Sequence, residues 1–135
     1  MTGLVRYPSP LPAPLSKAVR AGDLLFLSGQ TPRGDDLRPV RGSIEVQTEA
    51  VIAAVRSSLA EFGLDLSSVV RCTVWLSDLD LMPRFNAVYA AHFGAHLPAR
   101  STVEAKLVGG VDVEIEVTAH VTSVSKTSPS RAKVS

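Results

Sequence analysis

The run Val111-Asp112-Val113-Glu114-Ile115-Glu116-Val117-Thr118-Ala119-His120-Val121 alternates apolar and polar residues without a break. Successive side chains of a strand point to opposite faces, so Val111, Val113, Ile115, Val117, Ala119 and Val121 line one face. Asp112, Glu114, Glu116, Thr118 and His120 line the other. The apolar face packs on helices, and the polar face is too hydrophilic for the core of a monomer.

Working outward, Ser101 to Leu107 reads as a second strand, joined to the first by a turn around Gly109-Gly110 to make a closing hairpin. Val69 to Leu76 has little polar interruption and fits a strand covered on much of both faces. Between these strands, Asp78 or Asp80 caps a helix that tolerates Pro83 in its first turn. That helix carries the stripe Phe85, Val88, Tyr89, His92 and Phe93 and stops at Gly94. A longer helix runs from about Ile44 to Phe62: Ser43 is its cap, Glu45 lies in its first turn, Val51, Ala54, Val55, Leu59 and Phe62 recur at helical spacing, and Gly63 ends it.

Nearer the N-terminus, Gly22-Asp23 between Ala18–Ala21 and Leu24–Ser28 is a two-residue hairpin signal. Residues 29–42 are turn-rich and read as a surface loop. Pro8, Pro10, Pro12 and Pro14 forbid helix and predict an extended arm over Tyr7 to Pro14. The element order is strand, strand, helix, strand, helix, strand, strand. It predicts a two-layer α+β domain, a mostly antiparallel sheet with two helices on one face, over residues 1–124. Residues 125–135 are almost devoid of apolar side chains and read as a disordered tail. The uncovered sheet face calls for copies of the same chain, hence a homo-oligomer.

The chain has 135 residues, the size of one domain able to bury a core without metal or disulfide. Its 14 basic and 13 acidic side chains give a net charge of +1, so no nucleic-acid partner and no acidic membrane surface is expected. Cys72 is the sole cysteine, which excludes an intrachain disulfide and fits a reducing compartment. The N-terminus lacks the apolar core of a signal peptide, and no stretch has the apolar length to cross a bilayer, which points to the cytoplasm.

Among candidate functional residues Arg100 leads. In Leu97-Pro98-Ala99-Arg100-Ser101-Thr102-Val103-Glu104 it follows a Pro-Ala corner at the mouth of a strand, so its guanidinium is held by scaffold and suits clamping a carboxylate. With Thr102, Glu104, Glu114 and Glu116 in the same hairpin, it belongs either to a structural ion-pair network or to a site. Glu114 and Glu116 share a face about 7 Å apart, so one should be paired or carry a raised pKa, and the other is a candidate general base. His92, His96 and His120 lack the spacing of a metal set, and no metal or other cofactor is expected. Cys72 reads as a small core residue. Ser28-Gly29-Gln30 ends a strand and lacks the flanks of a nucleophile elbow or a phosphate loop.

Leu24-Leu25-Phe26-Leu27-Ser28-Gly29-Gln30, Asn86-Ala87-Val88-Tyr89 with Phe93, Pro98-Ala99-Arg100-Ser101-Thr102-Val103-Glu104 and Val113-Glu114-Ile115-Glu116 together resemble the reactive intermediate deaminase family, RidA or YjgF-like. The resemblance covers about residues 13–121. It implies a chorismate-mutase-like fold and a homotrimer whose sheets face inward, with clefts between subunits. It further implies cofactor-free hydrolysis of enamines and imines such as 2-aminoacrylate to 2-keto acids and ammonia. Arg100 matches the family's carboxylate-binding arginine and Glu114 its water-positioning acid. Thr102 stands where many members have cysteine, and Ser28 and Asn86 match positions that line or support the cleft. Ala13-Pro14-Leu15 replaces the usual Gly-Pro-Tyr, so Leu15 stands in for an aromatic of the cleft, and Leu107-Val108 replaces a common Leu-Pro. An alternative function is a non-catalytic trimer that binds a small carboxylate or another protein. Ribonuclease activity, linked to some members, needs a basic surface that the near-neutral charge does not promise.

Overall fold

The computed structural model describes residues 3–121. The expected tail at 125–135 lies outside the described residues. Six strands, β1 (Leu4–Pro8), β2 (Ser16–Ala21), β3 (Leu24–Leu27), β4 (Val69–Leu76), β5 (Ala99–Glu104) and β6 (Val113–His120), form one sheet in the order β1-β2-β3-β6-β4-β5. Two helices, α1 (Ile44–Ala60) and α2 (Met82–Phe93), pack on one face of it. The α+β two-layer architecture is therefore as the alternation in β6 predicts. No helix among the described residues is long and apolar enough to cross a membrane.

Local chemistry explains where the elements begin and end. The backbone N–H of Val46 donates to Ser43 Oγ at the start of α1. Asp78 caps a short 3-10 turn over Leu79–Leu81 that leads into α2, and Pro83 lies in the helix's first turn where no donor is missed. Gly94 ends α2 with a φ of 56°, a left-handed conformation that glycine adopts at little cost. The Gly22-Asp23 turn joins β2 to β3 as expected, with Ala21 opposite Leu24.

Three expectations are corrected. Ser101–Leu107 and β6 do not form a hairpin: β4 lies between them, antiparallel to β6 and parallel to β5. The β4–α2–β5 segment is a crossover unit, which only a parallel partner can close, so β5 takes the sheet edge and β6 inserts centrally. The expected proline-rich arm is in part a strand. Leu4–Pro8 pairs antiparallel with β2, and a register shift after Tyr7 releases the chain where the prolines begin. Finally, α1 ends at Ala60 rather than Phe62, because Phe62 and Gly63 bond back to Leu59 and Ala60 in a tighter final turn.

The core lies between the helices and the inner sheet face. Val113, Ile115, Val117 and Ala119 of β6 meet Cys72, Val74 and Leu76 of β4, with Val51, Ile52, Val55 and Leu59 of α1 and Phe85, Tyr89 and Phe93 of α2 above them. Each fully buried aliphatic side chain stabilises the fold by roughly 1.5–3 kcal/mol. On the solvent side of the helices Arg84 donates twice to Glu45, which pulls that carboxyl down to about 2, and His92 lies between Glu49 and Arg56. The outer sheet face is uncovered, and it exposes Leu24, Phe26 and Val103.

Candidate functional site

Strand register decides which faces the candidate residues occupy. Arg100 is opposite Cys72, which is in turn opposite Val117, and both neighbours face the helices. Arg100 is therefore on the helix side of the edge strand. Its Nε donates to Thr102 Oγ1 at 3.0 Å and its Nη2 to Asn86 Oδ1 at 2.8 Å. The guanidinium carbon sits 5.4 Å from the Phe85 ring centroid and 4.8 Å from that of Tyr89. The arginine is thus held by its own strand and by α2, as its position after Pro98-Ala99 suggests.

Glu114 is elsewhere. It is opposite Trp75, and Glu116 is opposite Thr73, on the outer face. The reading that placed Arg100 beside Glu114 and Glu116 in one hairpin is corrected: within one chain the arginine and these two carboxylates lie on opposite faces of the sheet, because β4 intervenes and the register puts them on different sides of the pleat. Glu104, opposite Leu76, does share the arginine's face, but its carboxylate accepts from the backbone of Leu79 at 2.9 Å. Two surface hollows of one chain, of about 350 Å³ around Ser77, Glu104, Lys106 and Asp112 and of about 260 Å³ around Phe26, Arg71, Thr73, Glu116 and Thr118, are not lined by Arg100.

Glu114 is half-buried, and burial, reinforced by the neighbouring Glu116 carboxylate, raises its pKa above the ordinary 4.5. It lies across the chain at Gly29. A Cβ at Gly29 would collide with Glu114 Oε2 and sit 3.2 Å from its Cδ, so the absence of a side chain there reserves the carboxylate's place. Gln30 and Ile115 exchange both backbone hydrogen bonds, at 2.8 and 2.9 Å, which clamps this loop to β6. Ser28 Oγ donates to the carbonyl of Ser16 at 2.6 Å, and Leu15, the residue before Ser16, is 46% exposed.

The candidates thus form two groups. Arg100, Thr102 and Asn86 are at the β5 edge beside α2; Glu114 is on the outer face against Gly29, next to Ser28. Gly29, Phe85 and Tyr89 are functional candidates that sequence reasoning passed over. Gly29 was visible as the residue after Ser28, but its use as clearance follows only from the packing. Phe85 and Tyr89 read as core positions, which they are, with Arg100 resting on their rings. Cys72 is fully buried beneath the same arginine, and burial pushes its thiol up.

Two substitutions test the outer-face group. Gly29→Ala, at a backbone conformation any residue adopts, should leave folding intact while displacing the Glu114 carboxylate. The Glu114 titration, followed by carboxylate NMR, should shift while the circular dichroism spectrum stays unchanged. Glu116→Gln removes a repelling charge, so the Glu114 pKa should fall in the same titration.

Known proteins share this sequence pattern and fold. The family model described as Endoribonuclease L-PSP matches residues 8–121. The mitochondrial protein Mmf1 of Saccharomyces cerevisiae is 42% identical over 111 residues, covering 82% of this chain and 77% of its own. Protein DfrA of Myxococcus xanthus is 43% identical over 110 residues, covering 78% and 84%. The crystal structure of yeast Mmf1 superposes with a TM-score of 0.82 at 38% identity, over 88% of this chain and 99% of that one. A YjgF-family structure from Neisseria meningitidis gives 0.74 at 31% identity, over 87% and 94%. A match that runs from the last residue of β1 to just past β6, and so contains both groups of candidate residues, places this chain in the RidA/YjgF family, the family of the endoribonuclease L-PSP model.

Proposed function

We propose that the chain hydrolyses reactive imines and enamines derived from amino acids to 2-keto acids and ammonia, without a cofactor, in clefts between the subunits of a homotrimer. The observation that carries the reading is the Arg100 guanidinium, fixed by Thr102 through Nε and by Asn86 through Nη2, with Nη1 used by neither. The remaining donors suit the carboxylate of an imino acid, which accepts charge-assisted hydrogen bonds from a guanidinium. Glu114, with its raised pKa, suits the handling of a proton. Because the two lie on opposite faces of one chain, the reading requires Arg100 of one subunit to meet Glu114 of another. The exposed Leu24, Phe26 and Val103 on the outer face favour such an assembly.

In the reaction an enamine first takes a proton on carbon to become the imine. Arg100 holds the carboxylate and so fixes the imine carbon. Glu114 accepts a proton from water as the water oxygen bonds to that carbon and returns it to nitrogen, which gives the carbinolamine. It then carries the hydroxyl proton to nitrogen as the C–N bond breaks, so that the carbonyl forms and ammonia leaves. No nucleophilic side chain is needed, since the substrate is itself electrophilic. Ser28 and Thr102 line or support the cleft, and Leu15 makes its wall aliphatic where an aromatic is usual. The buried, unpaired Cys72 accords with action in a reducing compartment such as the cytoplasm.

Release of keto acid and ammonia from a dehydratase or amino-acid oxidase mixture tests the proposal. The protein should accelerate it, and small aliphatic imines should be favoured over aromatic ones because of Leu15. Equal rates with and without protein, in a preparation that still binds pyruvate, would leave the carboxylate-binding, non-catalytic reading in its place.

A further inference from the structure

We propose that Trp75, the sole tryptophan of the chain, is a positioning residue for Glu114: its indole walls the β4 side of that carboxylate, directs it into the space left at Gly29 and keeps water from one flank. The inference deepens the proton-handling reading of Glu114 given above and rests on it.

β6 runs between β3 and β4, so Glu114 has a neighbour on either side. On the β3 side the neighbour is Gly29, held there by the bridge between Gln30 and Ile115, and it has no side chain. On the β4 side Trp75 is directly opposite, in the register that pairs Leu76 with Val113 and Thr73 with Glu116. Residues opposite each other in an antiparallel pair share a face with their Cβ atoms about 4.5–5.5 Å apart. Indole and carboxyl therefore stand side by side on the outer face. One flank of Glu114 holds the bulkiest of side chains and the other holds none. The carboxyl lies on the open flank, with Oε2 inside the volume that a Gly29 Cβ would need.

Packing has to set this placement, because among the described residues no hydrogen bond or ion pair holds the Glu114 side chain. The charged groups of the same face do not supply one. Glu116, two residues along β6, repels it, and Arg71, opposite Thr118, donates to Ser101 Oγ at 2.7 Å. On β5 the neighbour of Trp75 is Val103, which is uncharged. The half-buried indole displaces water from the β4 flank, in keeping with the burial that raises the Glu114 pKa.

The test takes two independent readings on the assembled full-length protein. In a carboxylate NMR titration, Trp75→Ala should lower the Glu114 midpoint by about half a pH unit or more, because water then reaches the β4 flank. Trp75→Phe keeps a ring there and should hold most of the wild-type value. A side chain that served only the fold would change the melting temperature and leave the midpoint alone. The indole reports on the same contact from its own side. As the sole tryptophan, Trp75 should show a fluorescence step at the pH where Glu114 titrates, and Glu114→Gln should remove it. An unchanged midpoint in Trp75→Ala, an equal fall in Trp75→Phe, or a fluorescence step that is absent from wild type or survives in Glu114→Gln would overturn the positioning role. Where Trp75→Ala does not fold, the fluorescence step decides alone. Neither reading depends on turnover: a wild type that shows both and hydrolyses no imine would overturn the proton-handling reading and leave the placement of the carboxylate intact.

Discussion

Arg100→Ala is expected to lower kcat/KM for imine hydrolysis by about 100-fold or more. Two hydrogen bonds between charged partners each contribute about 1.5–3 kcal/mol, and each 1.4 kcal/mol is roughly a tenfold effect. The loss should appear in KM as well as in kcat, because the carboxylate is gripped before and during addition of water. The fold should survive. Arg100 lies on the edge strand, and its removal costs the contact with the Phe85 and Tyr89 rings without opening a hole among aliphatic side chains. Arg100→Lys should rescue little, since an ammonium keeps the charge and loses the planar fork. Steady-state kinetics beside pyruvate titration would measure both effects, and a variant that keeps wild-type KM would refute the grip.

Glu114→Gln should lower kcat by about 10²- to 10⁴-fold, the usual contribution of a positioned general base, while pyruvate still binds. The same change should stabilise the protein at neutral pH. Burial and Glu116 raise the Glu114 pKa in the folded state above 4.5, so the fold holds the proton more tightly than the unfolded chain does. Ionisation therefore opposes folding increasingly as pH rises from 4.5 through the raised value, and the penalty is complete above it. Glutamine carries no such penalty. Melting curves should show the variant above wild type at pH 7, with the gap closing as pH falls below 4.5. A gap that persists in acid would mean that the gain arises from packing instead.

Mixing the two inactive variants gives a third result. If Arg100 and Glu114 act across a subunit boundary, refolding them together should restore activity, because about one cleft in four would receive both native side chains. Activity that stays at the level of the parents, in mixtures shown by native mass spectrometry to have exchanged subunits, would exclude a shared cleft.

Much of this arrangement could be read from residue order. The unbroken alternation of Val111 to Val121 specifies a strand with one apolar face whatever its neighbours are, because the pleat has a period of two. Ser43, Gly63, Pro83 and Gly94 mark helix ends through local backbone chemistry alone. Arg100 stands out for the same reason: the Pro-Ala corner before it acts on its own neighbours in the chain.

What the sequence left open is what depends on partners distant in the chain. Whether Ser101–Leu107 pairs with the following strand or the preceding one is decided by α2, whose crossover demands a parallel neighbour and so sends β5 to the sheet edge. From that pairing and its register follow the separation of Arg100 and Glu114 onto opposite faces and the aromatic floor under the guanidinium, while the clearance that Gly29 leaves for Glu114 follows from the bridge between Gln30 and Ile115. By itself, then, the sequence determined most of the elements, the two-layer class and the side chains that are candidates for the proposed site, and the first two rest on short-range periodicity and capping. Only the tertiary structure decided which of those side chains share a face, because register and strand order are set by packing between segments that the linear chain does not place together.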